Sequence, residues 1–246
     1  MMTQIIAHRG SKSNRPENTL ASFAEAIRVG TDGIELDVHR TRDGHLVVIH
    51  DESVDRTTNG SGLVRKLTLE QIRSLDAGSW FHPQYFRERV STLGEVIDFL
   101  EEKGFQGLLN IEIKTDKYPY PKIEKQIARL MHRKKVSFSY MYSSFNLFSL
   151  YLMRKHDPGI ELAYLMKDQS FHLWLAGKSP FIGAVHPHRS LFLGKKRDLS
   201  LLKPFRLWTV NKTSDMKKAI KGGVQAIITD KPEEALLVKR EIEENH

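Results

Sequence analysis

The sequence predicts an α/β fold, a (β/α)8 barrel of the TIM type. Three observations point there: short β-rich runs alternate with helical patterns eight times, the chain has 246 residues against the ~250 typical of such barrels, and His, Asp and Glu motifs fall at or just past the ends of apolar runs, where barrel enzymes place their chemistry. An open doubly wound sheet gives the same alternation. Eight units in a chain of this length favour closure.

The strands are expected at Gln4–Ala7, Gly33–Val38, Leu108–Ile113, Val136–Met141, Ile160–Leu165, Phe181–Val185, Arg206–Val210 and Ala226–Thr229. Helices fit between them at Leu20–Val29, Leu93–Lys103, Pro121–Lys134, Asn146–His156, Phe171–Ala176, Thr213–Lys221 and Glu233–Glu244, with a weaker one before Lys203. Leu46–Ile49 breaks the alternation. A gap of Arg42-Asp43-Gly44-His45 is too short for a parallel crossover, so the run is a hairpin; a two-residue Asp-Gly turn pairs Arg42 with His45 and places His50 opposite Asp37. The stretch 52–90 is too long for a simple loop, and a small cap-like insertion over the C-terminal face is expected there, within a single catalytic domain spanning 1–246.

Composition narrows the chemistry. There is no cysteine, so a disulfide framework and a thiolate nucleophile are excluded, and zinc would have to be held without sulfur. No apolar stretch approaches the ~18 residues of a membrane span, and the start lacks a signal peptide's basic segment and apolar core, so a cytoplasmic protein is expected. The charge of +8 favours anionic partners. Its densest segments, Arg129–Lys135 and Lys195–Arg197, lack interleaved aromatics; specific nucleic-acid binding is therefore not expected, and a weak attraction to anionic phospholipid surfaces fits the charge at least as well. Nothing in the sequence fixes an oligomeric state.

On Gly33–Val38 side chains alternate, so Ile34, Leu36 and Val38 face the helices while Glu35 and Asp37 face inward near the mouth. Glu112 arises the same way between Ile111 and Ile113. Inward acids repel, and a divalent cation between them is the simplest remedy; a structural ion network with Arg9, Lys114 or Arg40 is the alternative. Three carboxylates without cysteine favour Mg²⁺ or Ca²⁺ over zinc. His8 and His50 follow apolar runs and flank this site, which suits a general acid and base pair better than two isolated caps. Arg9 and Lys114 offer positive charge to a phosphoryl oxygen. Asn18 or Thr19 can cap the first helix, with Glu17 bracing His8 or Arg9. Trp208 either lines a pocket or packs in the core, Ser144 has no triad around it, and His186-Pro187-His188 is an outer support for the site or a plain strand end.

In order and spacing, His8-Arg9-Gly10, Pro16-Glu17-Asn18-Thr19, Glu35-Leu36-Asp37-Val38, Thr41-Arg42-Asp43-Gly44, His50-Asp51, Arg56-Thr57-Thr58-Asn59-Gly60, Glu112-Ile113-Lys114, Trp208-Thr209-Val210-Asn211 and Thr229-Asp230-Lys231-Pro232 closely resemble the glycerophosphodiester phosphodiesterase family, within the phospholipase-C-like phosphodiesterase superfamily. The resemblance implies a barrel with an insertion after the second strand, and hydrolysis of glycerophosphodiesters to sn-glycerol 3-phosphate and an alcohol. It also implies His8 and His50 as acid and base, Glu35, Asp37 and Glu112 as ligands of one Mg²⁺ or Ca²⁺, and Arg9 and Lys114 as phosphate contacts. The nucleophile is then either the substrate's own glycerol 2-hydroxyl, through a cyclic phosphate, or water. Asn14-Arg15 and the basic stretch 191–203 depart from the family's usual pattern and bear on substrate preference. Two alternatives accompany this expectation: lysophospholipase D-type cleavage, which an open apolar channel beside Trp80, Phe81 and Tyr85 would favour, and a non-catalytic basic binding module, which would have lost the histidines or acids.

Overall fold

The first strand, β1 (Gln4–His8), already sets the two-sided pattern of the sheet: Ile6 points into the barrel, and His8 ends the strand at its C-terminal mouth. The computed structural model describes residues 2–167, 176–193 and 203–244. Around β1 run α1 (Leu20–Val29), β2 (Gly33–Arg40), β3 (Leu46–Val48), α2 (Leu69–Arg73), α3 (Leu93–Glu102), β4 (Leu108–Ile113), α4 (Ile123–Lys134), β5 (Ser139–Ser144), α5 (Leu147–His156) and β6 (Leu162–Met166). They are followed by β7 (Ala184–Pro187), α6 (Ser190–Leu193), β8 (Arg206–Leu207), α7 (Thr213–Lys221), β9 (Ala226–Thr229) and α8 (Pro232–Glu243). Eight of the strands are parallel, in the order β7-β6-β5-β4-β2-β1-β9-β8, with β3 antiparallel on β2. Single bridges Val185 to Phe205 and His188 to Trp208 join the two ends, so the barrel is nearly closed. The expected barrel is the observed one.

Two cores explain why it holds. Outward residues Ile34, Leu36, Val38, Leu109, Ile111 and Ile113 are fully buried against Phe23, Ala26, Val96, Ile97 and Leu100 of the surrounding helices. Truncating any one of the large ones to Ala costs about 2–5 kcal/mol. Inside the barrel, Ile6, Ala226 and Ile228 pack with Leu108 and Trp208, and Met141, Ala163 and Ala184 form a second layer. Helix ends obey local chemistry: Thr19 caps α1 in a capping box with Ser22, Gly30 closes it at φ +77°, and Thr92 with Glu95 does the same for the start of α3.

The structure corrects several expectations. The fourth parallel strand is Ser139–Ser144 instead of Val136–Met141, because Phe138 is spent against Phe105 (centroids 5.6 Å apart) and the Ser137 amide donates to Glu101 of α3 at 2.6 Å. Likewise β6 and β7 start two to three residues later than expected, and β8 has only Arg206–Leu207, Trp208 being held by its bridge to His188. The helix expected at 171–176 lies, except for Ala176, outside the described residues, as does most of the basic stretch 191–203.

The hairpin register also differs. Val38 pairs with Val48 and Arg40 with Leu46, and the Ile49 amide donates to the Asp37 carbonyl at 3.1 Å, so Ile49 and not His50 lies opposite Asp37. The loop has three residues, not two. Gly44 takes φ +91°, and the Thr41 hydroxyl donates to Asp43 at 2.6 Å while accepting from the His45 amide at 2.9 Å, which stabilises the longer turn. A one-residue slip exchanges the two faces of a strand. Here Leu46 and Val48 join the main core, and Val47 and Ile49 join a small cluster with Val54, Val64, Ile72, Ala77 and Val90 from the following segment. Both faces of β3 are thereby covered.

Candidate active site

Parallel register assembles the site. His8 lies beside Glu35 across β1 and β2, and Asp37 beside Glu112 across β2 and β4. Ligand oxygens of Glu35, Asp37 and Glu112 come within 4.8 Å of one another, all three side chains being buried. Lys114 donates to Glu112 at 2.8 Å and sits 3.5 Å from Asp37, while Arg9 Nε is 3.3 Å from Asp37 Oδ2. An ion network is therefore present, and it is incomplete. Two cations face three acids, and Glu35 Oε1 and Asp37 Oδ1 are buried with no hydrogen-bond partner among the described residues.

Charge effects follow. Burial, then repulsion from Asp37 and Glu112, pushes Glu35 well above the usual carboxylate range. Burial also raises Glu112, against the pull of Lys114. Asp37 would rise for the same reason, but Lys114 and Arg9 hold it far down. A cluster of oxygen donors alone, with two uncommitted oxygens and excess negative charge, fits a hard divalent cation.

The local backbone explains the first motif. Arg9 adopts φ +55°, its amide donates to Glu35 at 3.0 Å, and a Cβ on Gly10 (φ +76°) would lie 2.4 Å from the Ser22 hydroxyl; glycine is required there. Arg9 donates to Glu17 at 2.9 Å, and Glu17 in turn accepts two bonds from Arg56, so Glu17 braces Arg9 and not His8. Thr19 is the helix cap. Asn18, at φ +57°, donates instead to Asp37 at 2.9 Å.

Each histidine is held from behind. His8 Nδ1 lies 2.6 Å from Asp230, and His50 Nδ1 lies 2.6 Å from Asp51. Because a carboxylate only accepts, both Nδ1 atoms carry the proton and both Nε2 lone pairs are free. Burial, with Arg9 adding, pushes His8 down to about 4 despite Asp230, and burial lowers His50 against the pull of Asp37. Asn211 fixes Asp230 by donating to Oδ2 at 2.8 Å and accepting the Asp230 amide at 3.0 Å. Buried His39 donates to the His50 carbonyl at 3.1 Å and accepts from the Tyr120 hydroxyl at 2.8 Å. Sequence reasoning assigned no role to Asp230, Asp51, Asn211 or His39; the signals it could have used are the adjacency of His50 and Asp51 and the presence of Asn211 and Asp230 in two of the motifs.

His8, Arg9, Glu35, His50, Glu112, Lys114 and Trp208 all line one inner cavity of about 50 Å³. A wider outer cavity of about 530 Å³ shares Arg9, His50, Lys114, Phe145, Leu165 and Trp208 with it. Trp208 is half-buried there, its indole N–H donating to the His186 carbonyl at 2.7 Å and its ring against His188, so His186 and His188 position this tryptophan. Ser144 donates to the Ile113 carbonyl at 2.8 Å, a structural bond. Phe81 meets Trp80 and Tyr85 edge to face, and none of the three lines either of these two cavities. Among the described residues no helix is long and apolar enough to cross a membrane.

The model of the glycerophosphoryl diester phosphodiesterase family matches residues 8–234. A glycerophosphodiester phosphodiesterase of Caldanaerobacter subterraneus subsp. tengcongensis is 43% identical over 238 residues, covering 95% of this chain and 96% of that protein. One of Bacillus altitudinis is 36% identical over 248 residues, covering 98% and 100%. Among solved structures, an Oleispira antarctica phosphodiesterase in complex with the product sn-glycerol-3-phosphate matches with a TM-score of 0.81 at 30% identity, covering 96% of each chain.

Proposed function

Since this chain belongs to the glycerophosphoryl diester phosphodiesterase family, we propose that it hydrolyses glycerophosphodiesters to sn-glycerol 3-phosphate and an alcohol through His8 and His50, with one Mg²⁺ or Ca²⁺ held by Glu35, Asp37 and Glu112. The chain is an enzyme, a phosphoric diester hydrolase. The observation that carries the division of labour is the pair of imidazoles, each anchored at Nδ1 by a carboxylate and each lining the cavity of the acid cluster.

One imidazole, neutral, accepts at Nε2 the proton of the attacking hydroxyl. The other must enter the reaction as imidazolium, with Nε2 also protonated, and gives that proton to the leaving oxygen as the P–O bond to the alcohol breaks and the new P–O bond forms. Each transfer is worth about 10²- to 10⁴-fold. Arg9 and Lys114, held in place by Glu17, Asp37 and Glu112, present positive charge to the phosphoryl oxygens. A bound divalent cation would add Lewis-acid polarisation of the phosphoryl group. Trp208 supplies an apolar wall.

Residues 1–246 act in this reading as one catalytic domain in which 52–90 walls the mouth, which the bonds of Arg56 to Glu17 and Asp51 support. The setting in this reading is cytoplasmic, which the absence of cysteine supports. An activated leaving group tests the histidine roles. On sn-glycero-3-phospho-p-nitrophenol, whose leaving group needs no proton, the variant lacking the acid is expected to regain most of its loss, and the variant lacking the base none. Equal behaviour of His8→Ala and His50→Ala on both substrates would contradict the split.

A further inference from the structure

The mouth is larger than a phosphoryl group and a glycerol require. On the phosphodiesterase reading, on which this inference rests, the phosphoryl group lies where the inner cavity, with the acids and histidines, opens into the outer one, since Arg9, His50 and Lys114 line both. The outer cavity, about 530 Å³, has neither Glu35 nor Glu112 in its wall, and it falls in the ~300–1,000 Å³ range of sites that enclose drug-sized molecules. What remains of the substrate to fill it is the leaving alcohol.

One wall of that cavity is apolar: Leu165 with the half-buried rings of Phe145 and Trp208, which meet edge to face with centroids 5.5 Å apart. The indole N–H is already bonded to the His186 carbonyl, so Trp208 offers carbon and not a donor. Paired aromatic rings commonly receive quaternary ammonium groups. Here a cation is already in place. Lys167 Nζ lies 5.9 Å from the Phe145 ring centroid and has no carboxylate partner among the described residues, while the other two lysines of this wall, Lys114 and Lys117, are paired with Glu112 at 2.8 Å and Glu52 at 2.9 Å, and Asp116 is the wall's second carboxylate beside Glu52. A trimethylammonium group would meet a like charge at the ring it needs.

We infer that the outer cavity is a subsite for an uncharged, apolar leaving alcohol, with Phe145 supplying the surface that recognises it and Lys167 disfavouring cationic alcohols such as choline. Phe145 and Lys167 are thus specificity-determining residues for the reaction. The first turn of α5, which begins two residues past Phe145, presents Phe148 at 64% exposure, stacked on Tyr151, so apolar surface continues at the same rim.

Two substrate sets test this with Mg²⁺ present. In sn-glycero-3-phosphoalkyl esters from ethyl to hexyl the leaving oxygen is that of a primary alkanol throughout, so the series reports burial alone. The wild type is expected to gain up to about fourfold in kcat/KM per methylene, and Phe145→Ser to flatten the dependence. The 3,3-dimethylbutyl ester is a neutral isostere of the choline ester; it is expected to be preferred by about tenfold, a preference that Lys167→Gln reduces. Hydrolysis of the ethyl ester with a flat or falling chain-length dependence, or preference for choline over its isostere, overturns the subsite. Failure to hydrolyse even the ethyl ester contradicts the phosphodiesterase reading instead.

Discussion

His8 and Asp230 are 222 residues apart in the chain and 2.6 Å apart in space. The contact joins the ends of β1 and β9, neighbouring strands that bring the start and finish of the barrel together. It fixes the imidazole tautomer, with the proton on Nδ1 and the lone pair on Nε2. Asp230→Asn keeps the shape and loses the acceptor charge. Its kcat is expected to fall about 10²-fold or more with KM changed a few-fold at most, as measured by steady-state kinetics on a variant with an unchanged circular dichroism spectrum. A wild-type kcat would show that the pair is structural.

Glu35 is held by burial and by two neighbouring acids in a state that resists ionisation. Its charge therefore costs the metal-free fold stability at neutral pH. Glu35→Gln is expected to raise the melting temperature of the EDTA-treated protein, by about 2–4 °C for each kcal/mol relieved, and to reduce the further rise that Mg²⁺ or Ca²⁺ brings to the wild type. Differential scanning calorimetry reads both. If the three acids served only an ion network with Arg9 and Lys114, Glu35→Gln would lower the melting temperature and added cation would change nothing.

Glu17 gives a pH dependence of definite sign. Burial alone would raise it, but bonds from Arg56 and the charge of Arg9 bring it down to about 2 from 4.5. A carboxylate depressed on folding stabilises the protein above its unfolded value, and that stabilisation, on the order of 3 kcal/mol, is lost as pH falls from about 4.5 toward 2. Urea titrations across that window are expected to show the wild type losing more stability than Glu17→Gln. Parallel curves would contradict the arrangement around Arg9 and Arg56.

Much of the site was legible because it rests on local periodicity. Glu35 and Asp37 share a strand face by a period of two, and Glu112 and Lys114 repeat the pattern one strand over. Thr19 and Gly30 mark the ends of α1 by residue type. What was hidden depends on contacts across the chain or on competition within a loop. Asp230 finds His8 only once the barrel closes, and Asn211 and His39 act through groups that no motif links to them. The turn at Thr41–Gly44 carries the Asp-Gly of a two-residue turn, and only the hydroxyl of Thr41 decides for the longer one. The serine-rich run Ser139–Ser144 is a weak strand signal, yet it is a central strand between β4 and β6, with the Ser144 hydroxyl donating to the Ile113 carbonyl.

The central claim is that Glu35, Asp37 and Glu112 hold a cation beside two carboxylate-anchored histidines and that together they open a glycerophosphodiester. The most direct measurement is release of sn-glycerol 3-phosphate from sn-glycero-3-phosphoglycerol in EDTA, followed by addition of excess Mg²⁺ or Ca²⁺. Release is expected with cation and not without it, and Asp37→Ala, folded, is expected to stay inactive in both. Undiminished release in EDTA, or no release with any divalent cation, would contradict it.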